Sequence, residues 1–223
     1  MTKTKSAGRK RSAPAFETEI NRAPALRISH IVSGRINENG RVRYFVDPRG
    51  QGDVRDIPED VVLTRWRQRQ MQDHSFHGCR LGPNTWRAID KAFGRSASAI
   101  CRLNIEEVSA ARTTLHLEKN EHHLWLPEPT SLCSLFNALG PVRLQNVLDR
   151  HLSSDRESRF GTPDLFLFAK KRSSDNVAFY RLVEVKKPRE RISKDQHEEI
   201  AFLRSIGVPA RVLRLIELRE KRA

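Results

Sequence analysis

The chain has 223 residues, 38% hydrophobic and 30% charged, enough apolar material for a core of modest size in one mid-sized domain or two small ones. No stretch approaches the roughly 18 consecutive apolar residues of a membrane helix, which excludes a spanning protein, and the opening MTKTKSAGRKRSAP lacks the apolar segment of a secretory signal. Lys and Arg total 41 against 27 Asp and Glu, a formal net charge of +14, which favours a polyanionic partner: nucleic acid first, an anionic membrane surface second.

Residues 1–15 read as a basic disordered tail, polar and without apolar periodicity. Its Gly8-Arg9-Lys10-Arg11 run suits a nuclear-localisation signal or an arm for phosphate contacts. Residues 16–64 form a small β-rich module. Ile28 to Val32 is a candidate strand, Asn37-Glu38-Asn39-Gly40 a turn, and Arg41 to Val46 the returning strand. An SH3- or chromo-like barrel is one reading of this hairpin. Residues 58–120 look mainly helical, giving a helical region over 65–130, with Trp86, Ile89, Ala92, Phe93 and Ile100 near helical spacing and Ile105 to Leu117 a further helix. Asp73, His74, His77 and Cys79 are zinc-type side chains, but no second ligand pair stands at a defined distance from them. The three cysteines, Cys79, Cys101 and Cys133, are widely spaced and odd in number, which points to a reducing compartment.

From Leu132 the pattern sharpens. Leu132 to Leu139 is apolar and helical, Gly140-Pro141 punctuates it, and the helix resumes from Val142 to Leu152. After a polar linker, Gly161-Thr162-Pro163-Asp164 leads into an apolar strand, Leu165 to Phe168. Lys170 to Asn176 reads as a basic turn, and Val177 to Lys186, rich in β-branched and aromatic residues, as a second strand. Ser193 to Ile206 is a helix with Gly207 at its C′ position, and Ala210 to Leu215 a third strand. The order helix, strand, strand, helix, strand indicates an α/β sheet packed by helices.

Glu184 and Lys186 lie two residues apart on one strand and therefore share a face. If the first two strands are neighbours, Asp164 joins Glu184 at one end of the sheet. Two carboxylates there suit a hard divalent cation, Mg²⁺ or Mn²⁺, and Lys186 is placed to orient a water or stabilise phosphorane charge. Asp after Pro also turns chains, and Glu-x-Lys also forms exposed cross-strand pairs. The strand is otherwise apolar (Leu182, Val183, Val185), however, and charges in such a strand cost desolvation unless paired or metal-bound.

Gly161-Thr162-Pro163-Asp164-Leu165, Leu182-Val183-Glu184-Val185-Lys186-Lys187-Pro188 and Arg191-Ile192-Ser193-Lys194-Asp195-Gln196, in this order and spacing, resemble the VRR-NUC branch of the PD-(D/E)XK nucleases. Leu139 to Val142 and Arg150-His151-Leu152 are similar to its Fanconi-associated members, so the resemblance covers a nuclease module over 131–216. It implies a restriction-endonuclease-like fold, Mg²⁺ or Mn²⁺ dependence and cleavage of structured or branched DNA. Carried over by position, Asp164 and Glu184 become metal ligands, the Val185 carbonyl a further ligand, and Lys186 the catalytic lysine. Gln196 matches a glutamine near the active centre, although Ser193-x-x-Gln196 is also a capping box. The family usually supplies another acid from an upstream helix, for which Glu106 and Glu107 are the nearest candidates, with Glu118 and Glu121 behind them.

Lys170, Lys171 and Arg172, then Lys187, Arg189, Arg191 and Lys194, are expected in loops near the metal end, where they would hold DNA phosphates. The expected function is a metal-dependent, structure-selective DNA nuclease in repair, replication or mobile-element and phage DNA processing. A noncatalytic DNA-binding protein with a degenerate nuclease fold and a nuclease toxin or effector are the alternatives. The expected location is intracellular and DNA-associated, nuclear or nucleoid by source, and small standalone relatives make a homodimer one expected state.

Overall fold

The two strongest β-forming runs pair with each other and carry the rest of the fold. In this computed structural model, which describes residues 35–36, 42–46, 54–55, 57–117, 124–153, 161–174, 176–187 and 190–215, strands β5 (Leu165–Lys171) and β6 (Val177–Lys186) run antiparallel, with Leu165 opposite Val183 and Phe168 opposite Tyr180. Strand β7 (Ala210–Arg214) lies parallel to β6, and strand β4 (His74–Arg80) lies antiparallel on the other side of β5, giving the order β4-β5-β6-β7. A parallel pair needs a crossover, and helix α6 (Lys194–Ser205) provides it between β6 and β7.

Both faces of this mixed sheet are covered around its centre, so residues 165–169 of β5 and 182–186 of β6 are buried continuously rather than alternately. Phe166, Phe168 and Leu182 face the larger cluster, with Trp86 and Ile89 of helix α2 (Thr85–Phe93), Ala97 and Ile100 of helix α3 (Ala97–Ile100), Val108 of helix α4 (Ile105–Leu117) and Leu135, Phe136 and Leu144 of helix α5 (Pro129–Leu152). Leu165, Leu167, Val183 and Val185 face a second cluster closed by Val61, Val62, Leu63 and Trp66 of helix α1 (Pro58–Arg67). The Trp66 indole N–H donates to the His77 carbonyl at 2.8 Å, which fixes α1 to the edge strand.

Three expectations meet the structure. Of the two overlapping readings of residues 58–64, β-rich and helical, the helical one holds: helix α1 begins at Pro58, where Pro at the first helical position and Glu59 and Asp60 in the first turn favour a helix N-terminus. Second, the mainly helical stretch contains β4, and the sheet is therefore not confined to 131–216. Third, β5 continues to Lys171, so Lys170 and Lys171 belong to a strand rather than a turn.

Among the described N-terminal residues, β1 (Arg35–Ile36), β2 (Val42–Phe45) and β3 (Val54–Arg55) form a small antiparallel sheet whose Tyr44 packs against the α1 cluster. The candidate strand Ile28 to Val32 and the turn residues 37–40 lie outside the described residues. Helix α5 is broken at Gly140 (φ 67°), a left-handed position that glycine adopts without strain, directly before Pro141. Among the described residues no helix is long and apolar enough to cross a membrane.

Candidate active site

The β5–β6 ladder ends at Leu165 and Val183, and the site is built from what lies just beyond it. Asp164 precedes β5 and Val185 lies two residues past the last pair on β6. The Val185 N–H, left without a strand partner there, donates to Asp164 Oδ2 at 2.7 Å. The Asp164 carbonyl accepts from the Leu81 N–H at 2.8 Å, so the end of β4 sets the backbone that carries this carboxylate. Glu184 and Lys186 share the face of β6 that turns toward α6, and both are almost fully buried, 3% and 4% exposed.

Lys186 Nζ lies 2.9 Å from Glu184 Oε1 and 3.3 Å from Glu190 Oε1. Glu190 is held in turn by the Lys187 N–H, which donates to its Oε2 at 2.9 Å. From α6, Gln196 Nε2 donates to Glu184 Oε1 at 2.5 Å. The other end of the same amide closes the capping box: Gln196 Oε1 accepts from the Ser193 N–H at 3.0 Å, while Ser193 Oγ accepts from the Gln196 N–H at 3.2 Å. The two readings of Gln196 thus coincide, because the cap orients the amide that touches Glu184.

Helix α6 is itself pinned to α5. Fully buried Glu199 accepts from Arg150 Nε at 2.9 Å and meets His151 Nε2 at 2.9 Å. The Arg150 guanidinium lies over the Phe202 ring, 4.4 Å from its centroid.

The electrostatics follow from this crowding. Burial, opposed by the Val185 N–H and reinforced by the charge of Glu59, pushes the Asp164 carboxyl up to about 6. Burial and the facing Asp164 push Glu184 up to about 7, with Lys186 opposing. Burial works against the charge on Lys186, but the Glu184 and Glu190 carboxylates outweigh it and raise its pKa. The pair of carboxylates is therefore short of positive charge even with a lysine beside it.

Hard oxygen donors in that condition fit a hard divalent cation. Among the described residues no group of three or more His, Cys, Asp or Glu side chains is arranged to hold a metal by itself. Mg²⁺ is commonly held by one or two carboxylates together with several waters, a donor set that Asp164 and Glu184 match in kind.

Sequence reasoning missed Glu59. It stands in the first turn of α1, and its charge acts on Asp164. Glu107 instead forms a reciprocal pair with Asn104, its Oε2 accepting the Asn104 N–H at 2.8 Å, and Glu106 is exposed and acts on the Cys133 thiol. Glu118 and Glu121 lie outside the described residues. The available signal was Pro58-Glu59-Asp60, a helix start with two acids, of which Asp60 is taken by Arg80 at 2.5 Å.

The basic residues divide. Lys187 follows β6 directly, and Arg191 and Lys194 flank the start of α6, all three exposed; Arg189 lies outside the described residues. Lys170, Lys171 and Arg172 sit at the opposite end of β5, about 20 Å from Asp164 by the rise of six strand residues. Of the zinc-type side chains, Cys79 is a free thiol pushed up to about 12 by burial, and His77 is exposed on the edge strand.

Residues 111–215 match the model of the VRR-NUC domain. Among the solved structures that align with the chain are two of paFAN1: one bound to 2nt 5′ flap DNA with gap (18% identity, 73% of this chain, TM-score 0.44) and one bound to 1nt 5′ flap DNA with gap (19% identity, 74% of this chain, TM-score 0.45). The alignments take in 35% and 36% of those chains, so this protein spans about a third of their length. No curated protein matches it.

Proposed function

We propose, starting from the VRR-NUC match, that this protein is a divalent-metal-dependent DNA nuclease with a restriction-endonuclease-like core, selective for flapped, branched or junction DNA. The observation that carries the reading is the meeting of Asp164, Glu184, Lys186 and Gln196 at one end of the sheet. Two buried charges, Glu184 and Lys186, beside a half-buried carboxylate are costly to assemble, and such groups are characteristic of sites that use them.

Asp164, Glu184 and the Val185 carbonyl would hold Mg²⁺ or Mn²⁺, with Glu59 as the further acid. When bound, the ion supplies Lewis-acid polarisation of a phosphoryl oxygen and a water of lowered pKa. The chain's own residues do the rest. Lys186, oriented between Glu184 and Glu190, presents its ammonium to the charge that develops on the phosphate. Gln196 keeps Glu184 in one orientation, and Lys187, Arg191 and Lys194 receive the backbone phosphates entering the site. A role in repair, replication or mobile-element DNA processing, inside the cell and on DNA, accords with this chemistry.

The test is purified protein with plain duplex, flap and four-way-junction DNA in Mg²⁺, Mn²⁺ or EDTA, beside Glu184→Ala. Cleavage that needs both metal and Glu184 is expected. Salt-sensitive binding with no products on any substrate would favour a noncatalytic DNA-binding protein instead.

A further inference from the structure

The far end of β5 carries a second concentration of positive charge. Lys170 and Lys171 end the strand and Arg172 follows it; with Arg67 from the end of α1, His77 on the edge strand and Ser131 at the start of α5 they line a groove of about 820 Å³. The antiparallel register explains the convergence. Ser75 stands opposite Lys170 and His77 opposite Phe168, so these side chains leave the same face of the sheet. Arg67 is anchored at the rim, its guanidinium donating to the Gly78 carbonyl at 2.6 Å.

The groove's chemistry is one-sided. Among the described lining residues the one acid is Glu128, which is paired with Arg112 at 3.3 Å. Partial burial, then the charges of Lys170 and Arg67, hold the His77 imidazole below its ordinary pKa, a sign of the positive potential there. Among the described lining residues the rings are those of His77 and Phe168 and no side chain is aliphatic, so an amphipathic helix would find no row of aliphatic side chains to pack against. The hydroxyl donors and cations of the lining suit the oxygens of successive phosphodiesters.

We propose that this groove is a second phosphate-binding surface, which holds the sugar–phosphate backbone of a duplex arm of the substrate at a distance from the active centre. The substrate, though not the binding, rests on the nuclease reading. The separation of about 20 Å corresponds to about six base pairs of duplex rise. An arm shorter than that cannot engage both places.

The experiment measures binding of the full chain in EDTA to flap DNA with one arm of either about four or about 20 base pairs. Wild type is compared with Lys170→Ala/Lys171→Ala/Arg172→Ala and, should that variant melt early, with the exposed-site reversal Lys171→Glu/Arg172→Glu. On the long arm, affinity is expected to fall at least about tenfold and the slope of log K against log salt to drop by about 2 to 3. The loss should be confined to that arm. Unchanged long-arm affinity and slope, or an equal loss on both arms, would overturn the proposal, as would polyglutamate binding as tightly as DNA. Cleavage by the unaltered protein in Mg²⁺ reports separately on the nuclease reading: arm-dependent binding without cleavage sinks that reading and leaves the groove standing, while cleavage with no arm dependence does the reverse.

Discussion

Gly161 and Gln196 are fitted to each other: a Cβ on the glycine would lie 2.5 Å from Gln196 Cγ. The chain entering Asp164 thus packs against the side chain that holds Glu184, and two sides of the site share one contact. Gly161→Ala should force Gln196 aside and lower kcat by about 10-fold or more, with little change in melting temperature. In a Gln196→Ala background the same change should cost little further, because the side chain it displaces is gone. Additive losses in the double variant would argue that the two act independently.

Asp164→Ala and Glu184→Ala should bring cleavage below detection while DNA binding in EDTA is retained. Lys186→Ala should reduce kcat by about 100- to 1,000-fold, the scale of removing one group that stabilises transition-state charge. Glu190→Gln should show a smaller loss, since Glu184 still holds the ammonium at 2.9 Å. Full activity in all of the first three variants would refute the assignment of the site.

Glu59→Gln should raise the Mg²⁺ concentration needed for half-maximal cleavage by about 10- to 100-fold, the range seen when a metal site loses a supporting group. Asp60→Asn is the control: it breaks an ion pair with Arg80, both partners partly exposed, worth about 1 kcal/mol or less, and should leave the metal requirement alone. Equal effects of the two changes would place Glu59 outside the site.

In metal-free buffer the site should make the protein less stable as pH rises. Asp164 and Glu184 sit above the ordinary carboxylate range, at about 6 and about 7, so the folded protein keeps protons that the unfolded chain has released. The stabilisation is complete below ordinary carboxylate values and is lost as pH climbs through those two. The melting temperature in EDTA should therefore be higher near about pH 5.5 than near about pH 8, and Mg²⁺ should restore it at the higher pH. A flat profile, insensitive to Mg²⁺, would count against the carboxylate pair.

Glu199 is fully buried between Arg150 and His151. Glu199→Ala removes the buried carboxylate that Arg150 and His151 meet and should destabilise the fold by about 3 to 5 kcal/mol, read by chemical denaturation. Glu199→Gln, which keeps the shape, should cost less.

What could be read in advance depended on whether the signal was local. Strand β6, with Val177, Phe179, Tyr180 and Val183, and helix α4, with Glu106, Glu107, Ala110, Ala111 and Arg112, were legible to their ends because local propensity favours the element that forms. So was the break at Gly140, where glycine and proline act through backbone sterics alone. Strand β4 was not: His74-Ser75-Phe76-His77-Gly78-Cys79-Arg80 has little apolar alternation, and its state is set by pairing with β5 some 90 residues later. The same blind spot hid Glu59, whose importance comes from where α1 lands on the sheet. The chain around Asp164, Glu184 and Lys186 was readable because an apolar strand that carries charges is anomalous by itself.

Strand β4 also sets the smallest piece of this protein that could be expressed with profit. A fragment starting at residue 111, where the family match begins, would keep Asp164, Glu184 and Lys186 yet strip the outer neighbour from β5. Leu165 to Ala169, now fully covered, would become a bare apolar rim with unpaired amides, a template for strand-to-strand aggregation. During synthesis the situation is inverted: residues 74–80 leave the ribosome long before 165–171 exist. The weakly β-forming edge can wait in solution with little hazard, while the aggregation-prone centre of the sheet is made last, when its partner is already at hand.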